Sequence, residues 1–381
     1  MKTIGLLISN KRSFGIKVCC GIMDFARKAG DWALRSLDFE EVGKSARFRA
    51  CDGYIASVFD ERMARSLRKS GKPTVDVFGH TAHFPVSEHD AELIGQLAAR
   101  HFIEHRFTHF AFFGYEGLGF SNARRDAFVR SLKADHFPCD VYQSTDSDIV
   151  DFMKNANDDH NDISIRNRRN VRTWVKGLPK PVGVFCAHDL RAFQLIDICL
   201  ENKIRVPEDV AVLGVDNDEF ICNFSEPPIS SIDQDGLKIG FSAAELLSQM
   251  LAQPGAVPAS VRIQPFGLVE RGSTCVYPLD PPWLSDALIF IRGNIAKGLS
   301  AADVYAHLGM SHSSVDRAFR KVLGSSVQKT IMASRLDEAK RLITTTDLPM
   351  SEISALSGFA SVQYFCKSFT GAFGRNPSSF R

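Results

Sequence analysis

The chain lacks the sequence signatures of disulfide-stapled, zinc-finger and membrane-spanning proteins. Its nine cysteines include no C-x-x-C pair, and no His/Cys group has zinc-ligand spacing, so we expect reduced and mostly buried thiols. The apolar run after Met1 is too short for the core of a signal peptide. No apolar run approaches the roughly 18 residues that a bilayer-spanning helix needs. These absences predict a soluble, cytoplasmic protein with no membrane partner, no metal and no cofactor.

Catalytic motifs are also missing. There is no G-x-S-x-G elbow, no P-loop and no G-x-G-x-x-G at a strand–helix junction, and residues 117–119 offer only a Gly-Leu-Gly fragment. Asp216 and Asp218 are the only candidate pair of catalytic acids, and ligand binding suits them better. The sequence therefore predicts no catalytic residue and no enzyme.

What the chain does have is apolar content for more than one core and an uneven distribution of charge. At 381 residues and 44% hydrophobic content, it is long enough for two or three domains. Residues 281–381 hold 12 Lys/Arg against 7 Asp/Glu, a net of +5, whereas the other 280 residues hold 34 against 37, a net of −3. A basic C-terminal module on a slightly acidic body suits a polyanion bound at one end, although ordinary fluctuation fits the same numbers.

Residues 1–270 alternate short apolar runs with amphipathic stretches. We expect strands over 4–8, 52–57, 73–78, 109–113, 182–186 and 210–215. We expect helices over 15–29, 61–69, 90–105, 122–134, 189–201 and 236–251. This alternation predicts parallel sheets covered on both faces, and the count suggests two of them. The polar stretch 146–172 fits a solvated helix or loop better than a binding motif.

A proline-bearing segment ends the alternation, with Pro278, Pro281 and Pro282. The predicted organisation is a two-lobed α/β body over 1–272, a linker over 273–284 and an all-α unit over 285–381. The last unit should open with a helix over 286–296.

The last hundred residues contain one helix-turn-helix pattern twice, over about 301–324 and 350–374. Each copy has a turn glycine, Gly309 or Gly358, before a helix with two buried anchors four residues apart. The anchors follow the glycine by 6 and 10 residues in the first copy and by 7 and 11 in the second, as if the second turn held one extra residue. Ser311 stands where an N-cap belongs. The side chains left to face a DNA groove are His312, Ser313, Ser314, Arg317, Lys321, Ser361, Val362, Gln363 and Lys367.

This region resembles the AraC-type DNA-binding domain over about residues 284–381. The match is carried by Arg335-Leu336-x-x-Ala339-x-x-Leu342, Gly358-Phe359, Tyr364-Phe365, Phe369 and Gly374-Arg-Asn-Pro377. Tyr305 departs from the pattern, which usually has a small or aliphatic residue there. The resemblance implies that both recognition helices enter successive major grooves on one face of DNA, roughly 34 Å apart. A helix over about 332–343 should fix the two copies together.

Ligands of open α/β sheets bind at the carboxyl ends of the strands, where this chain carries charged, amide and aromatic residues. Carboxylates and amides bind sugar hydroxyls, and aromatic rings cover the apolar face of a sugar. The ligand residues that we predict from these positions are Phe14, Asp60, Tyr115, Asp189, Asp216 and Asn217. Asp216 fits the crevice better than a helix cap, whereas for Asp189 the two interpretations are even.

The order of these features resembles the periplasmic-binding-like sensor of LacI/GalR-type regulators over about residues 3–270. The match is carried by 121–128, 187–189, 206–217 and 228–234. It implies that Arg124, Asp189 and Asp216 contact the effector. The chain departs from the family by lacking a DNA-binding headpiece before strand one and by having His188 where an Asn is usual.

A sensor body followed by an AraC-type reader resembles bacterial regulators of sugar operons. It implies a sequence-specific transcription factor that senses a small sugar, D-xylose or a related pentose, and controls sugar-catabolism genes. The expected partners are double-stranded DNA, the sugar, a second copy in a homodimer and RNA polymerase. Two alternatives stay open: a constitutive DNA-binding or architectural protein with a dimerising body, and a sugar-modifying enzyme fused to a DNA-binding domain.

Overall fold

The computed structural model describes residues 1–9, 12–79, 82–144, 165–346 and 348–380. The chain divides into two compact units, Met1–Thr274 and Cys275–Arg381. Most of the polar stretch 146–172 lies outside the described residues, and its last part, from Ile165, is helical. None of the helices in the described ranges combines the length and the apolar character needed to cross a bilayer.

The first unit contains two large sheets, one in each lobe, and a separate pair of strands. The lobe-one sheet has the order β2-β1-β3-β4, and each neighbouring pair runs parallel. Its strands are β1 (Lys2–Leu7), β2 (Trp32–Ser36), β3 (Gly53–Ala56) and β4 (Thr74–Asp76). A separate parallel pair joins β5 (Ser87–His89) to β11 (Val261–Ile263).

The lobe-two sheet has the order β12-β10-β9-β8-β6-β7. The five strands from β10 to β7 in this order run parallel, and β12 pairs antiparallel with β10, so the sheet is mixed. The strands are β6 (Phe110–Tyr115), β7 (Cys139–Ser144), β8 (Val182–Cys186), β9 (Val210–Val215), β10 (Ser230–Asp233) and β12 (Gly267–Val269). Every residue of β6, β8 and β9 is buried, which explains their continuous apolar sequences.

Helices cover these sheets and complete their cores. They are α1 (Ser13–Ala29), α2 (Ala46–Arg49), α3 (Glu61–Lys69), α4 (Ala91–Glu104), α5 (Gly119–Ala134), α6 (Ile165–Gly177), α7 (Asp189–Glu201), α8 (Glu219–Phe224) and α9 (Gly236–Ala252). In lobe one, Ile4 packs in one cluster with α1 and α9, and Leu7 packs in another with α3. Both faces of the sheet are therefore covered. The expected α/β body with two large sheets is confirmed, except that the antiparallel strand β12 makes the second sheet mixed.

The second unit is helical, as expected. Its helices are α10 (Trp283–Asn294), α11 (Ala301–Leu308), α12 (His312–Ala318), α13 (Val327–Thr345), α14 (Met350–Leu356) and α15 (Val362–Phe373). A π-helical turn, Phe319–Leu323, extends α12. Helix α13 places Ile331 in the core of the first helix-turn-helix and Leu336 in the core of the second.

Candidate functional site

Five of the seven predicted ligand residues meet at the carboxyl edge of the lobe-two sheet. Tyr115 ends β6, Asp189 opens α7 after β8, and Asp216 and Asn217 follow β9. Arg124 reaches the same edge from α5, where its Nη1 donates a hydrogen bond to the carbonyl of Ala187. The parallel topology causes this convergence, because parallel strands bring their carboxyl ends to one edge.

A chain of polar contacts links Arg124 to Asp216 through Gln234. The Arg124 Nη2 atom donates to Gln234 Oε1 at 2.8 Å, and Gln234 Nε2 donates to Asp216 Oδ1 at 2.5 Å. The guanidinium also lies 3.9 Å from that carboxylate oxygen. Gln234 was absent from the predicted ligand residues, although it ended the 228–234 motif that carried the family resemblance.

The buried charged residues of this group shift one another's pKa values. Burial raises the pKa of Asp216 to about 6, and the positive charge of Arg124 works against that rise. Burial also raises the pKa of Asp189 well above its usual value, and the Asp216 carboxylate adds to the effect. For Arg124, burial lowers the guanidinium pKa, and the two aspartates oppose the shift. Two carboxylates and one buried cation therefore share a single electrostatic site.

Asp189 does not cap its helix. The side chain of His188 accepts the capping bond from the Arg191 backbone N–H at 3.2 Å. The Asp189 carboxylate instead accepts from Ser231 Oγ at 2.6 Å and from the backbone N–H of Asp218 at 2.8 Å. It thereby fixes the loop that carries Asp216. Asp216 is likewise not a cap, since Asp218 caps α8.

Lobe one contacts this loop through Lys17 of α1. The Lys17 ammonium donates to Asp233 Oδ2 at 2.8 Å and to the carbonyls of Asp216 and Asn217 at 3.2 and 3.3 Å. A second contact joins the lobes where the rings of Phe78 and Phe120 lie 5.7 Å apart. The lobes thus meet at the strand ends, and Lys17 holds them together there.

The aromatic residues near the predicted ligand site are not placed as expected for Tyr115. Tyr115 is buried, and the guanidinium of Arg191 lies 3.8 Å from its ring centre, so one face of the ring is already covered. Phe120, which is not among the predicted ligand residues, is half-buried, and its ring centre lies 5.2 Å from the Arg124 guanidinium. Burial holds the pKa of His188 well below its usual value, so this ring is neutral at physiological pH.

Two predicted ligand residues lie in lobe one and do not join this group. Phe14 is half-buried and packs against the lobe-one core. Asp60 is exposed, and its carboxylate caps α3 by accepting from the Met63 backbone N–H at 2.6 Å. The capping bond gives Asp60 a structural role in lobe one, and its contact with a ligand stays a prediction.

In the second unit, both turn glycines adopt the left-handed conformation that the motif needs. The φ angle is 61° at Gly309 and 73° at Gly358. Ser311 caps α12 by accepting from the Ser314 backbone N–H, as the sequence predicted, and Ser361 caps α15 in the same way. The first recognition helix begins three residues after its glycine and the second begins four residues after its glycine. The extra residue in the second turn is therefore present in the fold.

The anchors and the exposed residues of both helices separate as expected. The buried anchors, each 0% exposed, are Val315, Phe319, Phe365 and Phe369. All nine side chains predicted to face DNA are exposed. His312 stacks on Tyr305, with ring centres 4.1 Å apart, so the unusual tyrosine supports the first recognition helix at its start. Tyr364, which is not among the residues predicted to face DNA, is also exposed beside Gln363.

The two helix-turn-helix copies are joined by more than α13. Arg335 Nη2 donates to the Leu299 carbonyl at 2.8 Å, which ties α13 to the segment before α11. The turn at Gly358 lies against the carbonyl of Ile295, so close that a Cβ there would stand 2.0 Å from that oxygen. The two copies therefore form one compact DNA-binding domain, called the reader below, with two exposed recognition helices.

The fold and these two surfaces define a DNA-binding regulator with a two-lobed, ligand-binding-type body. Residues 99–274 match a periplasmic binding protein-like domain, and residues 304–381 match a helix-turn-helix domain. The HTH-type transcriptional activator AarP of Providencia stuartii is 34% identical over 98 residues, which cover 26% of this chain and 73% of that relative. The chain belongs to the AraC-type helix-turn-helix family of transcription regulators.

Two further relatives match almost the whole chain. The xylose operon regulatory protein of Haemophilus influenzae is 29% identical over 339 residues, covering 87% of this chain and 84% of that protein. The solved structure of the xylose-binding transcription activator xylR is 25% identical, with a TM-score of 0.62 over 99% of this chain and 97% of that one. These relatives are regulators rather than enzymes.

Proposed function

We propose that this protein is a sugar-responsive transcription factor whose effector is D-xylose or a related pentose. The observation that carries the proposal is the Arg124–Gln234–Asp216 chain at the edge of lobe two, where lobe one also arrives through Lys17. A sugar ring offers adjacent hydroxyls that donate and accept hydrogen bonds, as this mixture of cation, amide and carboxylate requires. The names of the two long relatives support a pentose.

The ligand contacts follow from this chemistry. Asp216 and Asn217 would accept and donate to neighbouring hydroxyls, and Arg124 would donate to a ring or hydroxyl oxygen. Asp189 would orient the loop beneath them through its bond to the Asp218 backbone. Phe120 would cover the apolar face of the sugar better than Tyr115, because Arg191 already covers one face of Tyr115.

The DNA contacts come from the two recognition helices. Arg317 would bind guanine, whose major-groove edge offers two acceptors. Gln363 would bind adenine, whose major-groove edge offers one donor and one acceptor. Lys321 and Lys367 would contact phosphates, and the serine side chains at the helix starts would add hydrogen bonds. His312 and Val362 would lie at the groove edge.

The proposed active form is a cytoplasmic homodimer that works with RNA polymerase at a promoter. Sugar binding would favour one arrangement of the lobes by a few kcal/mol, which is enough to change the occupancy of DNA several-fold or more. Two readers in a dimer would then be brought to, or removed from, their two sites together.

The test is DNA binding by the full chain, measured by fluorescence anisotropy on its own upstream promoter fragment, with and without sugars. D-xylose, L-arabinose, D-ribose and D-glucose form the panel, and a thermal-shift assay measures ligand binding separately. We expect one pentose to raise the melting temperature and to change the affinity for DNA. Equal DNA binding with every sugar, together with an unchanged melting temperature, would support a constitutive DNA-binding protein instead. Turnover of a sugar in the same mixtures would support an enzyme.

A further inference from the structure

A second group of chemically capable side chains lies away from the crevice edge, near Ser230 at the amino end of β10. His101 and His105 are one helical turn apart at the end of α4, and Glu270 comes from the segment between β12 and the turn Gly272–Thr274. One ligand atom from each of the three lies within 4.8 Å of the other two. His101 and His105 are buried, and the Glu270 side chain is 29% exposed.

The hydrogen bonds of His105 fix where its protons lie. Its Nδ1 is 2.7 Å from the backbone carbonyl of His101, a pure acceptor, so Nδ1 carries a proton. Its Nε2 is 3.0 Å from Glu270 Oε1. A neutral ring would therefore turn a lone pair toward the carboxyl group, and two acceptors at this distance repel each other. Either a proton, held by the ring or by the carboxyl group, or a metal cation lies between them.

The hydrogen bonds of His101 lead to a similar assignment. His101 Nε2 lies 2.9 Å from Thr274 Oγ1, whose own hydrogen is donated to Ser230 Oγ at 2.7 Å. Ser230 Oγ in turn donates to the Arg271 carbonyl at 3.1 Å. Because each hydroxyl has one hydrogen, His101 Nε2 must donate, and its Nδ1 carries the lone pair. Each imidazole thus has one N–H held by a fixed acceptor, which is how proteins orient histidines that bind metals.

We propose that His101, His105 and Glu270 form a binding site for a divalent transition-metal ion, with Zn²⁺ the best match. Two neutral imidazoles and one carboxylate are a common zinc set, completed by a water molecule in a tetrahedral arrangement. Zinc–ligand bonds are about 2.0 to 2.2 Å long, so the three ligand atoms, which lie within 4.8 Å of one another, would draw closer together around the ion. The ion would replace the shared proton between His105 and Glu270 and neutralise the carboxylate.

A metal ion bound at this site would affect the structure of the segments around it. Glu270 precedes Arg271, whose guanidinium donates to Asn217 Oδ1 at 2.8 Å and to the Ile229 carbonyl at 2.9 Å. Thr274, which bonds to His101, is the last residue of the first unit. A bound ion would tie α4 to this closing segment and stiffen the loop that carries Asn217. It therefore stabilises the sensor unit whether or not a sugar is the effector.

The experiment uses the full chain without a histidine tag, stripped with a chelator and titrated with ZnCl₂ in a calorimeter. We expect one equivalent bound per chain and a rise in melting temperature. His105→Ala and Glu270→Gln should each weaken zinc binding by at least about 100-fold. In the Glu270→Gln variant, the new side-chain amide can still donate to His105 Nε2, so this variant should remain folded by circular dichroism. His136→Asn, at an exposed turn residue, is the matched control and should bind zinc like the parent.

Co²⁺ distinguishes this site from the cysteines. Cobalt bound by two imidazoles and a carboxylate gives visible d–d bands without thiolate charge-transfer absorption. Absence of stoichiometric zinc binding, undiminished binding by the Glu270 and His105 variants, or a thiolate charge-transfer band would each overturn the proposal. None of these results bears on sugar or DNA binding, so the metal site and the proposed function are tested separately.

Discussion

Asp216 is the single residue on which most of the crevice chemistry depends. It has a φ angle of 110°, accepts from Gln234 and lies near the buried Arg124, and burial raises its pKa to about 6. A carboxylate with this pKa is ionised at neutral pH and becomes protonated under mildly acidic conditions. Sugar binding and the stability of the sensor unit should therefore respond to pH in opposite directions.

We predict that sugar affinity falls as the pH drops below about 6, because the ionised Asp216 is the stronger hydrogen-bond acceptor. The free energy of unfolding should change with pH in the opposite direction. Since the folded pKa lies above the ordinary value of 3.8, this group contributes stability at low pH that is lost as the pH rises through about 6. The free energy of unfolding of the parent, relative to Asp216→Asn, should thus fall by up to about 3 kcal/mol between pH 4 and pH 7. Thermal unfolding and calorimetry across this range measure both; a constant difference would contradict the assignment.

A second residue-scale prediction separates base recognition from phosphate contact within α15. Gln363→Ala should cost about 1 to 3 kcal/mol on the cognate site and relax the preference at one base pair, while leaving the salt dependence of binding unchanged. Lys367→Ala should weaken binding to all sequences and reduce the salt slope by about 1. Binding is measured by anisotropy over a salt series on cognate and substituted sites. Lys297→Ala, an exposed lysine before α11, is the control and should behave like the parent.

At the scale of elements, the two turns have the same backbone conformation but different surroundings. A Cβ at Gly309 would meet no atom within 4 Å, whereas one at Gly358 would stand 2.0 Å from the Ile295 carbonyl oxygen. We predict that Gly309→Ala costs about 1 kcal/mol, from the left-handed backbone alone, and that Gly358→Ala costs at least about 2 kcal/mol. Hydrogen exchange of the α12 and α15 amides in the full chain measures each loss locally. Equal losses would mean that the second turn can move away from Ile295.

The helices and strands also show how much of the fold could be predicted from the sequence. The ranges of α3, β8, α7 and β9 agree with prediction residue by residue, because continuous apolar runs and capping residues encode them locally. The anchors and turn glycines were predictable for the same reason. Six strands were missed, namely β2, β5, β7, β10, β11 and β12. Of these, β5, β11 and β12 each depend on a partner far along the chain.

The parts of the site that escaped prediction depend on distant contacts as well. Lys17 meets Asp233 across 216 residues, and His105 meets Glu270 across 165. No local spacing announces either pair. The capping role of Asp60 escaped prediction for a different reason, because a carboxylate after a strand has the same sequence pattern whether it binds a ligand or caps the next helix.

For the whole molecule, the sensor and the reader must be coupled through free energy if the protein is a switch. Linkage requires that sugar and DNA alter each other's affinity by the same factor, typically 5- to 150-fold. We predict that saturating promoter DNA changes the sugar dissociation constant by the factor that saturating sugar changes the DNA dissociation constant. Calorimetry of sugar binding with and without DNA, compared with anisotropy, measures both factors. Asp216→Asn should reduce sugar binding and leave sugar-free DNA binding unchanged.

The two recognition helices give the DNA-binding domain a direction. Because the extra residue of the second copy lies in its turn, each helix begins three residues before its first buried anchor and exposes the same face. The side chains on that face differ, with serines and an arginine in one helix and glutamine and tyrosine in the other. The two ends of one DNA-binding domain are therefore different. Such a domain would distinguish a DNA site from a second site in which the two half-sites have changed places.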